Sequence, residues 1–314
     1  MIEAAVLQRL RAVLPAKNVL EQEPMRLHTT FRIGGPADVL CLPENDEQVA
    51  GILTILKQEN VPFYVVGNGS NILVKDNGFR GCIVKMLHKG SEIRVDGKAS
   101  TLYAGAGETM MTIAVRAAKE GLAGMEFASG IPGTLGGTVS MNAGAYEREM
   151  KDIVKSVRIV TPEGEIRDVS NEEMAFGYRT SAVPKNNWIV LGALLQMTPD
   201  DPGKIQERID DFTHRRKTRQ PLEYASAGST FKRPEGYFAA KLIDDAGMKG
   251  YSVGDAQVSE KHAGFVVNVG GATARDMLEL MRQIEQRVFE QTGVQLEPEV
   301  RILGADEQKK EESV

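Results

Sequence analysis

Two short stretches of this 314-residue chain carry residue types that could hold a phosphate-bearing ligand. The first is Gly67, Asn68, Gly69, Ser70 and Asn71, between two apolar runs. Glycines leave backbone amides open to close approach, and short serine and asparagine side chains add donors, which is what a pyrophosphate requires. A glycine–asparagine turn also serves as a plain hairpin, so this stretch alone decides little. The second runs from Gly130, Ile131, Pro132 and Gly133 through Gly136 and Gly137 to Asn142, Ala143 and Gly144. Pro132 fixes the backbone ahead of Gly133, where a short helix can open with free amides and a dipole that favour an anion. Glycines inside a helix cost about 1 kcal/mol each relative to alanine. Either tight helix packing or the close approach of a ligand has to explain Gly136 and Gly137.

Other nucleotide and metal signatures fail. The chain has no GxxxxGK[ST] phosphate loop. Gly105-Ala106-Gly107 lies where a dinucleotide fingerprint would, but its third glycine position is Met110. The two cysteines and four histidines show no zinc-ligand spacing, and no metal is expected. The basic run Arg215-Arg216-Lys217-Thr218-Arg219 ends a helical segment. Cations suit a helix C-terminus, and they could equally meet a diphosphate.

The elements that must position these loops alternate at first. A β-rich run at 37–42 precedes a helix capped by Asn45, with Gln48 at the capping-box position and Val49, Ile52, Leu53 and Leu56 at helical spacing. Strands follow at 62–66, 71–74 and 82–86. From about residue 92, shorter strands lead to a helix over 109–120, and 152–169 reads as a hairpin around Pro162-Glu163-Gly164. A strand at 188–197 ends in 198–203, an acidic, proline-bearing stretch without periodicity that marks a boundary. Beyond it come a helix with the stripe Ile205, Ile209 and Phe212, a helix from about Tyr237 that Gly247 can end, and a strand at 264–269. A long helix opened by Thr273 and Asp276 and a closing strand at 298–303 complete the pattern. The expectation is an α+β chain with lobes at 1–88 and 89–200, a third domain at 201–304 and a charged, disordered tail at 305–314.

A net charge of −5 argues against nucleic-acid or anionic-membrane partners. Cys41 and Cys82 lie in apolar runs and read as buried reduced thiols, which suits the cytoplasm. The N-terminal segment has amphipathic helical spacing without a signal-peptide core, and the most apolar stretch, 188–195, is too short to span a bilayer. A soluble cytoplasmic protein with no required protein partner is expected.

Six motifs occur in a fixed order: HTTFRIGGPAD from His28, VVGNGSNILV, GIPGTLGGTVSMNAGAY, FGYRTS from Phe176, AGSTFKRP from Ala227 and EPEVRILG from Glu297. In order and spacing the chain resembles the UDP-N-acetylenolpyruvoylglucosamine reductases over about residues 20–304. The resemblance implies a two-lobed FAD-binding unit of the vanillyl-alcohol-oxidase/CO-dehydrogenase-flavoprotein (PCMH) type and a C-terminal α/β domain for a UDP-sugar. It implies non-covalent FAD on both glycine loops, NADPH as hydride donor, and reduction of an enolpyruvyl UDP-sugar to UDP-N-acetylmuramate in peptidoglycan precursor synthesis. By similarity Ser229 is the proton donor, Arg179 stabilises the enolate-like charge, and Glu299 lies at the substrate carboxylate. Tyr178, Arg215, Lys217 and Lys232 are the substrate-binding candidates.

That chemistry suits those residue types. Hydride addition to the methylene carbon of an enol ether leaves charge beside the carboxylate, where a guanidinium fork is effective. Glu299 could donate a hydrogen bond there only if burial raises its pKa. Only TSAVPKNN separates Arg179 from Trp188, so the chain resembles the shorter subtype without a lid tyrosine. Two other readings stay open: an FAD-linked alcohol oxidase with the flavin tethered to His88 or Cys82, and a nucleotide-binding regulator without catalysis.

Overall fold

The computed structural model describes residues 2–86 and 93–304. The expected boundary at 88/89, His88 and the expected tail at 305–314 lie outside the described residues.

The first lobe contains α1 (Ala4–Val13), β1 (Val19–Pro24), β2 (Pro36–Cys41), α2 (Asp46–Gln58), β3 (Phe63–Val66), β4 (Ile72–Val74) and β5 (Phe79–Lys85). Its sheet runs β1-β2-β5-β3, with β2 and β3 both parallel to β5. Asn45 caps α2 by accepting from Gln48 N at 2.9 Å, and Val49, Ile52, Leu53 and Leu56 are buried, as the spacing predicts. Cys41 and Cys82 sit in adjacent strands, both fully buried, with their sulfurs 3.6 Å apart. The hydrogen bond with Cys41 and burial push the Cys82 thiol up. Its side chain packs in the apolar core.

The second lobe contains β6 (Arg94–Asp96), β7 (Thr101–Gly105), α3 (Met110–Lys119), α4 (Leu135–Ser140), β8 (Val154–Val160), β9 (Ile166–Ser170), α5 (Ala182–Lys185) and β10 (Ile189–Gln196). The sheet β9-β8-β10-β7-β6 is antiparallel throughout. Gly164 supplies the left-handed residue of the β8–β9 turn, at φ +88. One continuous apolar core joins α1, α2 and β5 to this lobe.

Helix α6 (Pro202–Arg219) packs differently from the expectation. Ile205 and Ile209 enter the shared core against α3, and Arg208 pairs with the buried Glu126 at 2.8 Å. Phe212 stacks on Tyr146, ring centroids 4.1 Å apart. Periodicity in the sequence shows that a face is apolar but not what it meets. With this helix seated on the second lobe, we propose that the third unit begins after it rather than at 201.

That unit contains β11 (Ala225–Ser226), α7 (Ala239–Asp245), β12 (Ser252–Val253), β13 (Ala256–Val258), β14 (Val266–Asn268), α8 (Ala274–Thr292) and β15 (Arg301–Leu303). A sheet β11-β14-β13-β12 packs on α8, whose buried stripe is Met277, Leu280, Met281, Ile284 and Val288. Thr273 and Asp276 form the expected capping box. The core borrows Phe31, Ile33 and Leu73 from the first lobe, and Asp76 accepts from Ala274 N and Arg275 N at the start of α8. β15 then returns to pair in parallel with β4, Arg301 opposite Ile72. No helix among the described residues is long and apolar enough to cross a membrane, and none of their His, Cys, Asp and Glu cluster as a metal site.

Candidate active site

The loop at 67–71 joins β3 to β4, and the loop at 130–144 contains α4. The two touch. Asn68 Nδ2 donates to the Pro132 carbonyl at 2.7 Å. A Cβ on Gly67 would lie 2.0 Å from Thr134 Oγ1, and one on Gly69 would lie 2.1 Å from the His28 carbonyl oxygen. With φ +64 at Gly69 as well, no other residue fits there. Between the loops runs a groove of about 830 Å³. Gly67, Asn68, Gly69, Ser70, Asn71, Ile131, Gly133, Gly136, Gly137 and Ala143 line it, whereas Gly130, Pro132, Asn142 and Gly144 do not.

The adjacent glycines have different causes. A Cβ on Gly136 would come within 2.9 Å of Ala106 Cβ, so tight packing accounts for that glycine. Gly137 is exposed on the groove, and nothing lies within 4 Å of its Cβ position. Packing does not explain Gly137, whose Cβ position is open space on the groove. Thr134 Oγ1, in the same wall, is buried with no hydrogen-bond partner. A buried hydroxyl in that condition calls for an acceptor or donor from outside the chain. Apolar walls from Leu53, Leu56, Met141 and Val183 complete a cleft that fits a flavin nucleotide.

Glu299 joins the groove to the third unit. Its carbonyl accepts from Asn71 Nδ2 at 3.1 Å, its N–H donates to the Thr230 carbonyl at 2.8 Å, and its carboxylate accepts from Arg179 Nε at 2.9 Å. Burial pushes the Glu299 carboxyl up, against the opposing pull of Arg179 and Lys232. Arg179 is left-handed (φ +54) in a turn where Gly177 and Thr180 exchange backbone hydrogen bonds. That conformation costs an arginine on the order of 1 kcal/mol, and the surrounding contacts hold it. Ser229 precedes Thr230, is exposed, and has no side-chain hydrogen bond among the described residues. Tyr178 OH accepts from Arg233 N at 3.0 Å, and the Arg179 guanidinium lies 5.3 Å from the Tyr178 ring centre.

The basic candidates divide. Lys232 pairs with Glu297 in the Ser229 turn. Arg215 is engaged with Asp211 on its own helix at 2.8 Å, and Lys217 is exposed. Arg216, in the basic run but not among the substrate-binding candidates, is set apart by its surroundings. Its side chain runs under Gly130, where an added Cβ would meet Arg216 Cδ at 2.8 Å, and Nε donates to Gln220 at 2.8 Å. Burial pulls its pKa down, and no carboxylate pairs with it among the described residues. The signal was present: Arg216 continues the stripe Ile205, Ile209, Phe212 at helical spacing. Arg301, in the closing strand, also lines the groove.

The FAD binding domain family matches residues 37–170, and the C-terminal domain of UDP-N-acetylenolpyruvoylglucosamine reductase matches residues 220–303. With two glycine loops walling a flavin-sized groove, the chain is a flavoprotein oxidoreductase of α+β fold. Over 294 residues it is 49% identical to UDP-N-acetylenolpyruvoylglucosamine reductase of Clostridioides difficile, covering 94% of this chain and 96% of that one. The enzyme of the same name from Clostridium kluyveri is 46% identical over 95% of this chain and 97% of its own. The crystal structure of the Thermus caldophilus reductase superposes with a TM-score of 0.77 at 35% identity, over 91% of this chain and 98% of that one. Alkyldihydroxyacetonephosphate synthase, 17% identical with a TM-score of 0.50 over 63% of this chain and 41% of its own, shares the fold alone. The chain belongs to the UDP-N-acetylenolpyruvoylglucosamine reductase family.

Proposed function

We propose that this chain uses NADPH to reduce UDP-N-acetyl-3-O-(1-carboxyvinyl)-glucosamine to UDP-N-acetylmuramate, a cytoplasmic step of peptidoglycan precursor synthesis. FAD bound without a covalent link along the loops at 67–71 and 130–144 would supply the hydride chemistry that links NADPH to the methylene carbon of the enol ether. The observation that carries this reading is the Arg179–Glu299 pair beside the groove, with the Ser229 turn hydrogen-bonded to Glu299 through Thr230.

Charge that builds next to the substrate carboxylate draws on the Arg179 guanidinium. An arriving carboxylate competes with Glu299 for that guanidinium and removes part of the pull that lowers the Glu299 pKa. Glu299 then holds a proton more firmly and donates it as a hydrogen bond. The Ser229 hydroxyl, without a protein partner among the described residues, delivers a proton to the carbon beside the carboxylate, and Lys232 sits in the same turn. Tyr178 and the half-buried Arg216 supply further contacts to the sugar nucleotide and the bound phosphates. A stopped-flow flavin spectrum tests the reading: bleaching with NADPH and recovery on adding the enolpyruvyl UDP-sugar is the expected result. Bleaching that the UDP-sugar cannot reverse would exclude it.

A further inference from the structure

The turn that carries Arg179 is fastened at both ends to the second glycine loop. Asn142 is fully buried and left-handed, at φ +46. Its Nδ2 donates to the Gly177 carbonyl and to Glu149 Oε2, each at 3.0 Å, and its Oδ1 accepts from Lys151 N at 2.9 Å. Both amide hydrogens and the oxygen are therefore committed to protein, leaving no donor for a cofactor. On the far side of the turn Ser181, also fully buried, donates its hydroxyl to the Ser140 carbonyl at 2.7 Å and accepts from Val183 N at 3.2 Å. Only Tyr178, Arg179 and Thr180 lie between these anchors. Ser140 ends the same helix whose Gly137 faces the groove.

We infer that Asn142 and Ser181 are positioning residues that set the Arg179 guanidinium in register with the flavin groove. The loop that presents Gly137 to the cofactor also fixes where the substrate carboxylate is met, so cofactor and substrate share one rigid reference within the second lobe. This rests on the reading of Arg179 as the charge-stabilising group. Neither residue touches substrate. Each acts through the arginine, and a displacement of about 1 Å in such a group can slow a reaction by roughly 100-fold.

The test uses the FAD-loaded enzyme with Asn142→Gly, Ser181→Ala, Arg179→Ala and the two doubles that contain Arg179→Ala. Glycine accepts the positive φ at 142, so Asn142→Gly removes the amide without straining the backbone. Ser181→Ala removes one hydroxyl and carries the same test if the glycine variant fails to fold. Each single anchor change should slow the substrate-driven half-reaction by roughly 10- to 100-fold while NADPH-driven flavin reduction stays at the unaltered rate. By calorimetry, UDP-N-acetylmuramate should bind more weakly to both anchor variants, and UDP, which lacks the carboxylate, should bind as before. Adding either change to Arg179→Ala should produce no further loss. Equal slowing of both half-reactions, a multiplicative loss on top of Arg179→Ala, or unchanged kinetics in both anchor variants would overturn the inference. If Arg179→Ala itself leaves the substrate half-reaction intact, the underlying reading of Arg179 fails instead.

Discussion

Replacing Gly137 by alanine should strengthen the fold and weaken the cofactor, and its neighbour should do neither in that combination. An added Cβ at 137 meets nothing within 4 Å, so the change keeps only the gain in helix propensity, about 1 kcal/mol. For a protein of this size that corresponds to a rise in Tm of about 2 °C in the flavin-free chain. At Gly136 the same propensity gain is set against a Cβ placed 2.9 Å from Ala106 Cβ. Carbon atoms rest at about 3.5–4.0 Å, and overpacking of this kind costs about 1–3 kcal/mol. Gly136→Ala should therefore be neutral to destabilising. The methyl group at 137 projects into the groove, where a ligand packed on the glycine would meet the same penalty, worth roughly 5- to 150-fold in affinity. Thermal melts of flavin-free protein and titration with FAD followed by quenching of flavin fluorescence measure both quantities. If Gly137→Ala bound FAD as tightly as the unaltered chain, α4 would not form the cofactor wall.

Ser229→Ala should leave NADPH-driven flavin reduction nearly intact and slow substrate-driven reoxidation by several orders of magnitude; equal losses in both halves would remove Ser229 from the proton path. Glu299→Gln should retain more activity than Glu299→Ala, because the amide keeps a donor where the neutral acid would act, and the reverse order would make the carboxylate charge the working feature. Burial raises the Glu299 pKa, so the folded chain holds that proton to a higher pH than the unfolded chain. Its contribution to stability is complete below the ordinary glutamate range and is lost as pH rises through the folded value. Glu299→Gln should flatten that segment of a urea-denaturation profile measured against pH, and an unchanged profile would show that folding does not shift the pKa of this group. Arg216→Ala should weaken binding of FAD or of the UDP-sugar by at least about 10-fold, from loss of a half-buried charge-assisted contact, and Arg215→Ala by less than about 2-fold, since its partner is exposed on its own helix; similar effects from both would return the phosphate contact to the helix surface.

The glycine loops were legible because residue type alone marks where a backbone is closely approached, although what approaches Gly67 and Gly69, Thr134 and the His28 carbonyl, was not. The caps of α2 and α8 and the hairpin at Gly164 were legible because each is written in residue types at short, fixed spacing. Less visible was anything set by partners far apart in the chain. Gly136 and Gly137 look identical as letters, and only the presence of Ala106 behind one of them separates packing from ligand contact. The apolar stripe of α6 was plain, but its seat on the second lobe was not, and this hid how Arg216 runs under Gly130. Asn142 reads as one more loop asparagine until Gly177, Glu149 and Lys151 gather around it. The meeting of Arg179 with Glu299 spans 120 residues of chain, beyond the reach of any local pattern.

The pairing of β15 with β4, and the hold of Asp76 on the start of α8, have a consequence for how this molecule can be divided. A protease nick after Arg219 would break one covalent link yet leave the strand ladder, the helix cap and the shared packing of Phe31 and Leu73 in place. The fragments would stay together and could be made as separate polypeptides that complement one another. Neither piece alone would contain a working site, because Arg179 would travel with one and Glu299 with the other.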